Sequence, residues 1–139
     1  MPRSTANATW DGSLTDGDGR VALGDGAWEG RYATPDVDGA TDPKELLAAG
    51  HASCYAMTLA YVLRESGYDP DDVRAESTVV LERGADAVSI TRLEVSVEAA
   101  VPEATVEVFA TGAEEAEQFC PVSRALAGTD IDVEASLAN

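Results

Sequence analysis

Two side chains in this sequence are suited to thiol chemistry, Cys54 and Cys120, and they are its only cysteines. A cysteine on a helix face is usually just a small apolar residue, and Cys54 alone reads that way. The pair reads differently. Cys120 directly precedes Pro121, which predicts it as the N-cap of a short helix, where free amides and the helix dipole stabilise a negative sulfur. Cys54 falls mid-helix and gains nothing from such a dipole, so its activation calls for a cation brought by a loop. The two do not form a CxxC motif, and their spacing leaves open whether they meet. If they do, one thiolate can attack a peroxide O–O bond and become a sulfenic acid, which the other condenses to a disulfide. His51, the only histidine, lies one helical turn before Cys54. A packed histidine is the commoner reading. A zinc site with both cysteines would want a fourth ligand, and none is evident.

The elements that must position these residues are legible from patterning. Asp42 and Pro43 open a helix, as N-cap acid and first-turn proline, and Glu45 completes a capping box. Leu46, Leu47, Gly50, Cys54, Met57, Tyr61 and Val62 keep helical spacing, and Gly67 is a C-cap. The breadth of its apolar content predicts a buried spine. Strand-like pieces precede it, Thr9 to Leu14, Arg20 to Leu23 and Trp28 to Ala33, separated by polar and glycine-rich stretches including Pro35 to Asp42. Two alternating strands follow, Val73 to Glu82 and Val88 to Ala100, the second with a slip around Arg92. A helix carrying Val106, Phe109, Ala110 and Ala113 turns Glu114, Glu115 and Glu117 to water. The helix from Pro121 to Ala127 and a strand from Asp130 to Leu137 close the chain. This order predicts an α+β fold.

With 139 residues, the chain reads as a single domain spanning residues 1–139. Acidic residues number 26 against 9 basic ones, for a net charge of −17. Such a surface repels phosphate backbones and anionic lipid, which argues against nucleic acid and membrane as partners. It fits a protein kept soluble in high salt. No apolar run reads as a bilayer span and no signal peptide is apparent, so a cytoplasmic location is expected. In a reducing compartment two cysteines are more often a working pair than a staple.

Two segments carry a family resemblance. Asp42-Pro-Lys-Glu-Leu-Leu-Ala-Ala-Gly-His-Ala-Ser-Cys54-Tyr-Ala-Met57 resembles the first signature of the OsmC/Ohr family, and Cys120-Pro-Val-Ser-Arg-Ala-Leu126 resembles its second. Ala8-Thr-Trp-Asp-Gly12 and Gly26-Ala-Trp-Glu-Gly30 fit the osmotically induced (OsmC) branch. The resemblance implies an intertwined homodimer, with antiparallel sheets around a long central helix and two sites at the interface. It implies reduction of organic hydroperoxides, and more weakly of hydrogen peroxide, by a dithiol, with no cofactor. It makes Cys54 the attacking thiol and Cys120 the resolving one. The family also pairs an arginine with a glutamate beside the attacking sulfur. Here Lys44 stands at the glutamate's usual place, and no arginine stands near Thr34 or Pro35. Arg31 and Glu45 are the candidates from shifted positions, with Lys44 as an alternative cation.

Two rivals remain open: a family member acting on a different electrophile, and a non-catalytic domain binding a small apolar ligand. Tyr55, Met57, Tyr61 and Phe119 suit core or interface packing, and equally an apolar pocket. Trp10 and Trp28 read as strand packing, and Arg124 as exposed.

Overall fold

The structure is a computed structural model that describes every residue except Asp36. The loop expected from Pro35 to Asp42 includes that residue, which lies outside the described ones. The chain divides into two compact units, residues 1–46 and 47–139.

In the first unit, β1 (Ala6–Asp11), β2 (Asp18–Leu23) and β3 (Trp28–Tyr32) form an antiparallel meander in that order. β1 stops before Leu14 because Ser13 makes a turn: its hydroxyl accepts the Asp16 N–H at 3.1 Å and its carbonyl accepts the Trp10 indole N–H at 3.2 Å. Trp10 lies against Tyr32, ring centroids 5.7 Å apart, which is the strand packing expected of it.

Helix α1 (Pro43–Glu65) starts as the capping box predicts. Asp42 Oδ1 accepts the amides of Lys44 and Glu45 at 2.8 and 3.2 Å, and Glu45 Oε1 accepts the Asp42 N–H at 3.1 Å. It ends at Gly67, whose φ of +93° is the left-handed turn expected of that glycine. Its 23 residues are, by length and composition, apolar enough to cross a membrane, which corrects the expectation that no run would be. Its inward face, however, packs into the second unit's core. That face is His51, Tyr55, Leu59, Val62 and Leu63. The face predicted from spacing is therefore displaced by one residue: Met57 and Tyr61 are 74% and 62% exposed. The helix carries two apolar stripes, and hydropathy alone does not say which one is covered.

In the second unit, β4 (Asp72–Arg83), β5 (Val88–Ala100) and β6 (Asp130–Leu137) form a sheet in that order. β4 and β5 are antiparallel, as expected. β6 lies parallel to β5, so this sheet is mixed rather than antiparallel. A parallel neighbour requires a crossover, here supplied by α2 (Val106–Phe119) and α3 (Pro121–Ala125). The slip in alternation at Arg92 is a β-bulge. Val80 pairs with Arg92 and Leu81 with Ile90, leaving Thr91 extra. Tyr55, Leu59 and Leu63 of α1, Val95, Val97 and Ala99 of β5, and Phe109 and Ala116 of α2 make the core, with Cys120 among them. Gly112 lets α2 approach α1: a Cβ there would lie 3.2 Å from Leu63 Cδ2.

Candidate active site

Cys120 occupies the joint between α2 and α3. Its N–H closes α2 on the Ala116 carbonyl at 2.8 Å. Pro121 has no N–H to continue that ladder, so one helix ends and another begins. As predicted, Cys120 is then the N-cap of α3, with its sulfur accepting the Ser123 N–H at 3.5 Å. The Tyr55 hydroxyl, fully buried, donates to the Ala113 carbonyl at 2.9 Å and ties α1 to α2 beside this joint.

The fold brings the two cysteines together. Cys54 is half-buried and Cys120 fully buried, and each thiol bears on the other's titration. Their titrations move in opposite directions. Burial pushes Cys54 up, and the neighbouring Cys120 sulfur adds to the rise, outweighing the Val122 amide that favours its thiolate. Burial also opposes a charge on Cys120, but hydrogen bonds from the Ser123 hydroxyl and amide, the Cys54 thiol and the Val122 amide overcome it. The Cys120 thiol therefore lies below its usual range. Of the two, Cys120 therefore gives up its proton more readily than Cys54.

His51 and Ser123 are the buried polar side chains of this unit. His51 Nε2 meets Ser123 Oγ at 2.9 Å, and Nδ1 meets Ser77 Oγ on β4 at 3.0 Å. Burial lowers the imidazole's pKa, favouring its neutral form. With both ring nitrogens engaged, His51 is a packed, hydrogen-bonded histidine rather than a free ligand. Ser77 and Ser123 were not singled out by sequence reasoning. Ser123 had a signal, since the third residue of a helix is the one that bonds its N-cap; Ser77 had none, because its contact is made across the fold.

Cys54 opens onto a cavity of about 680 Å³ lined by Met57, Tyr61, Val62, Phe119 and Pro121, with Glu65 and Glu115 also on its wall. The second stripe of α1 faces this space. Arg124 is exposed, as expected. Glu114 is exposed, while Glu115 and Glu117 are half-buried.

The other candidates lie in the first unit, each with its own partner. Arg31 donates through Nε and Nη2 to Asp18 Oδ1 at 3.0 and 2.9 Å. Glu45 is engaged in the capping box and accepts the Thr41 hydroxyl at 3.1 Å. Lys44 Nζ lies 3.4 Å from Asp42 Oδ1. Arg31 and Glu45 do not form an ion pair with each other in this chain.

An α+β protein with two distant cysteines joined at the mouth of an apolar cavity defines a class of paired-thiol proteins. The OsmC-like protein family matches residues 36–136, and the chain belongs to that family. Peroxiredoxin OsmC of Escherichia coli (strain K12) is 30% identical over 123 residues, 86% of each chain. An organic hydroperoxide resistance protein of Xanthomonas axonopodis pv. citri is 31% identical over 96% of this chain and 94% of its own. The crystal structure of the organic hydroperoxide resistance protein OhrB of Bacillus subtilis superposes with a TM-score of 0.73 at 26% identity, covering 96% of this chain and 98% of that one.

Proposed function

We propose that this chain is a two-cysteine peroxidase, reducing organic hydroperoxides, and hydrogen peroxide more weakly, at the expense of a dithiol. The observation that carries it is the pair of cysteines at the cavity mouth: Cys54 lines the cavity while Cys120 is fully buried behind it. Access and charge point to different sulfurs. Access decides which one attacks, because the peroxide must reach it, and the coupling of the two thiols lets the charge follow. Cys120 takes the Cys54 proton as the Cys54 sulfur bonds to the terminal peroxide oxygen. The O–O bond breaks, and the alkoxide leaves as alcohol with a solvent proton. Cys120 then attacks the Cys54 sulfenic acid, forming the disulfide, and its proton departs with hydroxide as water. A dithiol reduces the disulfide and regenerates both thiols. Each turnover converts one hydroperoxide and one dithiol into alcohol, water and an oxidised dithiol.

The working form is a homodimer in the cytoplasm. The exposed apolar stripe of Met57, Tyr61 and Phe119 supports a second copy covering the outer part of the cavity. In that setting either Lys44, or Arg31 acting with Glu45, supplies the cation that draws charge onto Cys54.

Peroxide treatment followed by mass measurement tests the reading. The native protein should lose two hydrogens to an internal disulfide. Cys120→Ser should consume about one equivalent and stop at a trappable sulfenic acid. Cys54→Ser should consume almost none. The raised Cys54 thiol favours a second reading, a non-catalytic domain holding a small apolar ligand. A native protein that stays reduced under excess organic hydroperoxide would sink the peroxidase reading and leave this one.

A further inference from the structure

The cavity beside Cys54 is apolar through its middle and acidic at its far end. Cys54, Met57, Thr58, Tyr61, Val62 and Glu65 all stand on its wall and all belong to α1. They recur at helical spacing, so the wall follows the helix axis. From residue 54 to residue 65 that axis rises about 16 Å. Glu115 of α2 stands on the same wall. It also lines a smaller hollow with Ser66, Tyr68 and Gly112, which places it at Glu65's end of the cavity rather than at the sulfur. Among the described residues neither carboxylate is held in an ion pair. Arg64, the basic residue of the last turn of α1, is exposed off this wall. The end of α1 adds the negative pole of the helix dipole there.

We infer that Glu65 and Glu115 are specificity residues: the cavity takes hydroperoxides whose far end is uncharged, such as esters and hydrocarbons, and disfavours those that end in a free carboxylate. Turnover of such substrates rests on the peroxidase reading; their selection by the wall does not. An extended hydrocarbon chain with its O–O group at the Cys54 sulfur runs along Met57, Tyr61 and Phe119 and brings its other end to the two glutamates. An ester meets them without charge repulsion. A carboxylate is a third negative charge in a space whose walls already carry two. At about 5 Å, screened as in bulk water, two like charges disfavour it by about tenfold. Neither glutamate reaches the reacting atoms, so the discrimination lies in holding the tail and belongs to KM more than to kcat.

The test compares a long-chain fatty acid hydroperoxide with its own methyl ester, which differ in the charge at the far end. With a dithiol reductant the native chain should favour the ester about tenfold in kcat/KM, most of it in KM. Glu65→Gln with Glu115→Gln should bring that ratio to within about twofold of unity. Glutamine keeps the size of each side chain, and Glu65 is exposed and Glu115 half-buried, so the fold should stand. Glu76→Gln with Glu134→Gln removes the same charge from a separate hollow on the second unit's sheet and should leave the native ratio. All three proteins meet the same two substrates, so differences in solubility cancel. A native ratio near one would overturn the inference, as would a Glu65/Glu115 variant that keeps the preference. So would a Glu76/Glu134 variant that loses it equally, since the selection would then belong to the charge of the whole chain. Turnover of neither substrate would sink the peroxidase reading, and the selection is then read without peroxide. The matching hydroxy acid and hydroxy ester cannot oxidise a thiol. The ester should protect Cys54 from alkylation about tenfold better than the acid, with the same response to both double variants. Equal protection by the two would overturn the inference there.

Discussion

Replacing Phe119 with alanine tests where the organic half of a hydroperoxide lies. Phe119 is 62% exposed and stands on the cavity wall beside Met57 and Tyr61. An aromatic residue offers about 150–250 Å² of surface, so roughly 120 Å² of this one is open to a ligand. A hydrocarbon tail covering half of that removes about 60 Å² from water, worth about 1.5 kcal/mol at ~25 cal/mol/Å². This predicts about a tenfold fall in kcat/KM for a bulky aromatic hydroperoxide. Hydrogen peroxide has no tail, so its kcat/KM should stay within about twofold of the native value. Folding stability should change by less than about 0.5 kcal/mol, because the side chain is already largely exposed. Steady-state assays with a dithiol reductant give both constants, and light scattering on the same samples separates lost substrate contact from lost assembly. Equal losses for both peroxides in a fully assembled variant would show that Phe119 does not discriminate between them and would refute the cavity as the tail's site.

Burial lowers the pKa of His51, so between pH 7 and 5 the unfolded chain takes up its proton first. The stability this contributes is complete above pH 6.5 and is lost as pH falls toward the folded value. The melting temperature of the native chain should accordingly drop more over that range than that of His51→Gln, and parallel slopes would count against a buried neutral imidazole. Taking the difference between the two proteins cancels the opposed contributions of Glu117, which burial raises, and Asp42, whose amide bonds outweigh its burial and lower it. Leu59→Ala empties a fully buried position between α1 and α2, and denaturant unfolding should report a loss of about 2–5 kcal/mol.

Much of this arrangement was legible because it is written locally. Asp42, Pro43 and Glu45 mark one helix start with three consistent signals, and Gly67 marks its end. The boundaries of β5 and β6 follow from alternation alone, and Cys120-Pro121 marks the joint where the buried sulfur sits. The broken alternation at Arg92 betrayed a bulge. What stayed hidden depends on contacts between distant segments. Periodicity could not choose which stripe of α1 is covered, since both stripes carry large side chains such as Tyr55 and Met57 and what decides is the element that lies opposite. The parallel placement of β6 is decided by the crossover, not by its own residues. Ser77 is bound to His51 only through the packing of β4 on α1, and no spacing rule connects them.

The parallel pairing of β6 with β5 also orders events in time. Leu93 meets Ile131 and Val97 meets Ala135, so this edge of the sheet can form only after the whole crossover carrying Cys120 has been made. Non-local pairings of this kind are completed late. Cys54 and its helix rely on local signals and can form early. A growing chain therefore exposes the Cys54 thiol before Cys120 has a fixed position. Oxidation in that interval would stall at a sulfenic acid or proceed to irreversible products. The last eight-residue strand thus acts as a clasp that closes the sheet behind the crossover carrying Cys120.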